Sequence, residues 1–143
     1  MKCLLALTLF IALSSALFEI DELEKMITNP IDLATLEILD DDKYSPRWKI
    51  QQQVNEIVAK QPQTVQNTYN MLLQNKNAKK QAKLERRLQW LRMRGASSAV
   101  LIAKQKLYDI DNDLSLSEIQ ADQQKAQVKS NLSAIDFMML NKD

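Results

Sequence analysis

Gly95 is the only glycine in a chain of 143 residues, where average usage of about 7% would supply roughly ten. Glycine is the residue that turns a backbone tightly through positive φ, so a chain almost without it is a poor candidate for a protein of two-residue hairpins. The same scarcity excludes a phosphate loop and a dinucleotide fingerprint, both of which need several glycines for close backbone approach. Histidine is absent and Cys3 is the only cysteine. The usual zinc sites, a Ser-His triad and a cysteine nucleophile in a mature domain therefore have no residues to be built from. Carboxylates are plentiful, but acid–base catalysis needs one in a pocket that raises its pKa. With no catalytic motif, the expectation is a non-enzymatic protein. At 45% hydrophobic and 26% charged residues, the chain has the composition of an ordinary globular domain.

The first sixteen residues read as a secretory leader. Lys2 gives a positive start, Cys3 to Leu13 is an apolar run, and Ser14-Ser15-Ala16 supplies the small residues a signal peptidase reads. A run of eleven residues is too short for a membrane span of about 20. Cleavage after Ala16 is expected to release residues 17–143 as one soluble, secreted, extracellular domain. Loss of Lys2 leaves 18 basic against 18 acidic groups, and loss of Cys3 leaves no disulfide. Such a domain relies on its core alone.

Apolar spacing is helical throughout. Phe18, Ile20, Leu23, Met26 and Ile27 form one run that stops at Asn29-Pro30, and Ile31 to Leu39 form a second. Ser45-Pro46 reads as a helix start ahead of Trp48, Ile50, Val54, Ile57 and Val58. Pro62 opens a segment with Val65, Tyr69, Leu72 and Leu73, and Leu84, Leu88 and Leu91 follow before Gly95, a natural helix C-cap. Ser97 or Ser98 starts a helix with Val100, Ala103, Leu107 and Ile110 inward. Ser115 and Glu118 fit a capping box ahead of a last helix carrying Ile119, Ala126, Leu132 and Ile135. Trp48, Trp90 and Tyr69 read as core anchors. Met138-Met139-Leu140 either finishes the last helix or covers a neighbouring groove. The predicted fold is all-α with five to six helices.

Residues 61–95 allow two readings. No large apolar side chain lies between Gln74 and Lys83, and the apolar faces on either side are about 90° apart on a continuous helix. Either the chain breaks near Asn75–Asn77, or one long helix with a solvated middle joins two small helical clusters. The lack of Gly or Pro and the wealth of helix formers favour the long helix. Charge is segregated here too. Residues 19–42 hold nine acidic groups and one Lys, whereas residues 76–94 hold eight basic groups and one Glu. Lys76, Lys80, Lys83, Arg87 and Arg94 share a stripe. It reads either as a binding strip for an acidic partner, phosphate or anionic lipid, or as a solvated face partly paired with the acidic segment. Nucleic acid does not fit an exported chain of zero net charge with no recognised binding module.

Residues 109–120, D-I-D-N-D-L-S-L-S-E-I-Q, have the spacing of an ion loop. Asp109, Asp111 and Asp113 occupy ligand positions 1, 3 and 5, Ser115 offers its carbonyl at 7, and Ser117 stands at 9. Leu114 replaces the turn glycine and Gln120 the bidentate Glu. The set therefore predicts weak divalent-cation binding, Mg²⁺ in preference to Ca²⁺. A helix corner capped by Asp and Ser is the plainer alternative. Asn131-Leu132-Ser133 is a glycosylation sequon, with Asn131 the acceptor.

The stretches R-W-K-I-Q-Q-Q-V-N-E-I-V-A-K-Q (47–61), P-Q-T-V-Q-N-T-Y-N-M-L-L (62–73) and S-S-A-V-L-I-A-K-Q-K-L-Y-D-I-D-N-D-L-S-L-S-E-I-Q (97–120) resemble the SXP/RAL family of secreted nematode proteins, across most of residues 47–130. The resemblance implies an all-helical, calmodulin-like fold and a domain labelled cation-binding. It also implies secretion and recognition by host antibodies, with no established activity. Two functions follow as expectations. One is an extracellular helical protein with a weak cation site, acting on an extracellular or host partner. The other is a carrier of an apolar ligand such as a fatty acid, suggested by a disulfide-free helical chain rich in Leu, Ile and Met.

Overall fold

The computed structural model describes residues 15–142. The leader expected over residues 1–16 lies outside the described residues except for Ser15 and Ala16, which open α1 (Ser15–Phe18). Then come α2 (Ile20–Glu24), α3 (Pro30–Asp40), α4 (Arg47–Ala59), α5 (Gln63–Met93), α6 (Ser98–Asn112), α7 (Glu118–Ser130) and α8 (Ala134–Asn141). The described residues are all-helical, in more segments than the five to six expected. One extra segment arises because the first expected run divides at Glu19 into two short turns, α1 and α2. Another arises because the expected last helix breaks at Asn131, and Ser133 caps α8 by accepting from the Asp136 amide.

Caps explain most boundaries. Asn29 Oδ1 accepts from the amides of Ile31 and Asp32, and Pro30 takes the first position of α3, where a missing N–H costs nothing. Gly95 has φ +73°, and its N–H donates to the Arg92 carbonyl while the Ala96 N–H donates to Leu91, a Schellman ending for α5. Ser97, not Ser98, caps α6. Two expectations are corrected. The capping box is Ser117 with Gln120, two residues beyond Ser115 and Glu118. Ser45 does not cap α4; its amide is tied to Asp42 Oδ1. The free donors at the start of α4 instead reach across the molecule: the Arg47 and Trp48 amides donate to the carbonyls of Leu116 (3.1 Å) and Leu114 (2.9 Å).

α5 is one continuous helix of 31 residues, so the long-helix reading holds. It joins two apolar cores. The first gathers Phe18, Ile20, Leu23, Leu36, Val54 and Tyr69 from α1 to the first half of α5. Tyr69 is 1% exposed and its hydroxyl donates to the Phe18 carbonyl at 2.7 Å. The second core gathers Leu91, Val100, Ala103, Leu107 and Leu140 from α5, α6 and α8. Trp48 and Ile135, expected in the core, are exposed at 47% and 73%. Trp48 stands at the amino end of α4, where the chain is already committed to the 114–116 loop. Among the described residues no helix is long and apolar enough to cross a membrane.

An acidic patch marks the first core. Burial, then Asp21, Glu24, Asp41 and Glu118, push the Asp40 carboxyl up to about 6. Because this folded value lies above the ordinary one near 3.8, the group's favourable contribution is complete below that ordinary value. It is lost as pH rises through about 6. Asp40→Asn is therefore expected to raise the melting temperature at pH ~7.5 and leave it nearly unchanged at pH ~3.5. Thermal melts at the two pH values check this; a lower melting temperature at the higher pH contradicts it.

Candidate functional site

Two helix faces make a concavity among the described residues. On α5, Lys80, Lys83, Leu84, Arg87 and Trp90 fall at steps of three and four and share one face. On α6, Lys104, Leu107, Tyr108 and Asp111 do the same. The Gly95 turn folds α6 back against α5, with Leu91 and Val100 in one core and the Tyr108 hydroxyl donating to Gln81 Oε1 at 2.9 Å. Between the faces lies a cleft of about 620 Å³, bounded at one end by Leu17 and Arg47. That volume is in the usual range for a small-molecule site.

The floor of the cleft is apolar and its rim is cationic. Leu17, Leu84, Trp90, Leu107 and Tyr108 provide the apolar wall. Leu84 is 5% exposed yet belongs to neither core. The lining holds six basic side chains, Arg47, Lys80, Lys83, Arg86, Arg87 and Lys104, against one acid, Asp111. Asp111 is already paired with Lys125 Nζ at 3.0 Å. Among the described residues, Lys80, Lys83 and Lys104 have no carboxylate within ion-pair distance. Burial lowers the Lys80 ammonium below its ordinary range, helped by Lys76. Burial also lowers Lys104, helped by Arg87 and Lys83. Arg87 is held in place: its guanidinium donates to the carbonyls of Leu140 and Lys142 and lies 4.4 Å from the Trp90 ring centroid. An arrangement of this kind attracts an anion to the rim while offering an apolar surface beneath it.

The basic stripe seen in the sequence is thus split among three uses. Lys76 pairs with Glu19, the one bridge between the basic helix and the acidic segment among the described residues. Lys80, Lys83 and Arg87 line the cleft, and Arg94 stacks on Trp90.

In the 109–120 stretch the three aspartates each have a partner within the chain. Asp109 accepts from Gln105 Nε2 within α6. Asp111 faces Lys125. Asp113 accepts from the amide and hydroxyl of Ser115 at 2.9 and 2.6 Å. α6 runs on to Asn112, and two residues apart on a helix point away from each other. Asp109, Asp111 and Asp113 are therefore not brought to one point. Among the described residues no three His, Cys, Asp or Glu side chains gather as a metal-holding group. Ser117 and Gln120 bond each other, and the carbonyls of Leu114 and Leu116 are taken by α4. Asn131 is the exposed C-cap of α7, with Leu132 half-buried against the second core.

The cleft residues Leu17, Arg47, Trp90, Lys104 and Tyr108 were not singled out as a site by sequence. The three-and-four spacing of Lys104, Leu107, Tyr108 and Asp111 is a visible signal for one wall; nothing local marks Leu17 or Arg47. No protein-family model matches the chain, and comparison with curated proteins and with solved structures likewise gives no match.

The unneutralised rim has a stability consequence. Lys104→Gln removes a desolvated charge from among like charges, so it is expected to raise the melting temperature at low salt. The gain shrinks when salt screens the rim. Melts at about 0.02 M and 0.5 M salt test this; no gain at low salt contradicts the crowding.

Proposed function

We propose that the protein is an exported, non-enzymatic carrier of an apolar molecule with an anionic end, a fatty acid being the simplest example, held between α5 and α6. The observation that carries this reading is the cleft of about 620 Å³ with an apolar floor and six basic side chains on its lining. Burying an acyl chain against Leu84, Trp90, Leu107 and Tyr108 removes apolar surface from water, at about 25 cal/mol per Å². The rim cations offset the desolvation of the anionic end.

Export rests on the leader read in residues 1–16, and the SXP/RAL resemblance of residues 47–130 supports an extracellular or host setting. Two cores on one long helix suit the calmodulin-like shape which that resemblance implies. Divalent-cation binding at 109–120 has less support, because the Lys125 ammonium stands on Asp111 and Asp113 is turned to Ser115.

Trp48→Phe leaves Trp90 as the sole indole, placed on the cleft wall. Oleate is expected to change its fluorescence saturably at one ligand per chain, and oleyl alcohol to bind more weakly. The absence of a saturable response to oleate overturns the carrier reading. Amino-terminal sequencing of the exported product is expected to begin at Leu17; a product beginning at Met1 overturns the leader.

A further inference from the structure

The cleft rim carries more positive charge than one carboxylate neutralises. Lys83 and Arg87 lie one turn apart on the α5 wall, and Lys104 faces them from α6, close enough to feel both charges. None of the three has a carboxylate within ion-pair distance among the described residues. The one acid on the lining, Asp111, is engaged by Lys125. Arg87 is fixed by two carbonyls and by the Trp90 ring, so its remaining donors are pre-oriented. Directly beside this seat lie Leu84, Trp90 and Leu107.

A carboxylate brings one charge and two oxygens. A phosphate monoester brings three terminal oxygens and about −1.5 to −2 charges at neutral pH. Lysine is a point-charge phosphate binder and arginine a forked one, and charge-assisted bonds to such oxygens are about twice as strong as neutral ones. Three cations on two facing helix walls therefore match three phosphate oxygens, with an apolar chain continuing along the floor.

Building on the carrier reading, we propose that Lys83, Arg87 and Lys104 form a phosphate seat, and that the cleft binds a single-chain lipid phosphate monoester in preference to a fatty acid. The seat lies on α5 and α6, the helices joined at the Gly95 turn.

The test compares three probes on the purified protein at fixed ionic strength: 1-oleoyl lysophosphatidic acid, oleate and inorganic phosphate, each by calorimetry. Lysophosphatidic acid is expected to bind about tenfold or more tightly than oleate, and inorganic phosphate far more weakly than either. Equal affinities for the two lipids overturn the phosphate seat and leave the carrier reading standing. Inorganic phosphate binding as tightly as the lipid overturns the lipid source. Failure of both lipids overturns the seat and the carrier together. In Lys83→Gln and in Lys83→Gln/Lys104→Gln the preference for lysophosphatidic acid is expected to fall toward one. A preference that survives both variants overturns the assignment to these residues. Lys83 is exposed, so the single variant retains the fold.

Discussion

The start of α4 is bound to the end of α6, and the two halves of the molecule hold together through that junction. The first N–H groups of α4 have no partner inside their own helix. They take the carbonyls of Leu114 and Leu116. In return the Arg47 guanidinium donates to the carbonyls of Ile110, Asp111 and Asp113, at the carboxyl end of α6. A positive helix end thus meets a negative one. The Ile119 amide adds a third main-chain bond across the same boundary, to the Lys43 carbonyl. Leu114 packs on the first core while its neighbours cap α7 and end α6. Without this junction, α5 alone would connect the two cores, through a stretch with hardly any buried side chain.

Charge segregation follows the same division. The acidic segment, which packs with the first core, crowds Asp40 with its own kind. The basic half of α5 passes between the cores and lies along the cleft. Only Lys76 and Glu19 bring the two populations together among the described residues. Natural sequences break local consistency mainly where function requires it, and uncompensated lysines over an apolar floor are such a break. Arg47 has two roles here. It seals the junction and also bounds the cleft, so the width of the site is tied to the union of the halves.

Much of this was legible in the sequence. Helical period, the Pro and Asn boundaries, Gly95 as a C-cap and the polar centre of a long helix are properties of a segment by itself, and the chain states them directly. What it does not state is which carbonyl a distant amide will meet. Ser45 looks like a cap because Pro46 follows it, yet α4 is capped by a loop some seventy residues later. Ser115 and Ser117 both stand three residues before a capping partner, and only the docking of Leu114 and Leu116 selects the second. The D-x-D-x-D spacing is genuine, but it does not say that α6 runs on to Asn112, which leaves Asp109 and Asp111 on the helix and Asp113 at its C-cap. Half of the cleft was visible as the Lys76–Arg94 stripe. Its other wall, and Leu17 and Arg47, come from segments that periodicity cannot place beside it.

The long helix carries one more implication. Its ends are gripped by separate cores, at Tyr69 and at Leu91, while residues 74–83 are mostly solvent-facing. An ordinary helix frays from its termini inward, because its ends have the fewest supports. Here the order is inverted. The weakest hydrogen bonds of α5 lie at its centre, so amide protons there exchange first and the helix opens from the middle. The cleft wall around Lys80 and Lys83 is then the part of the molecule that breathes, between two anchors that do not.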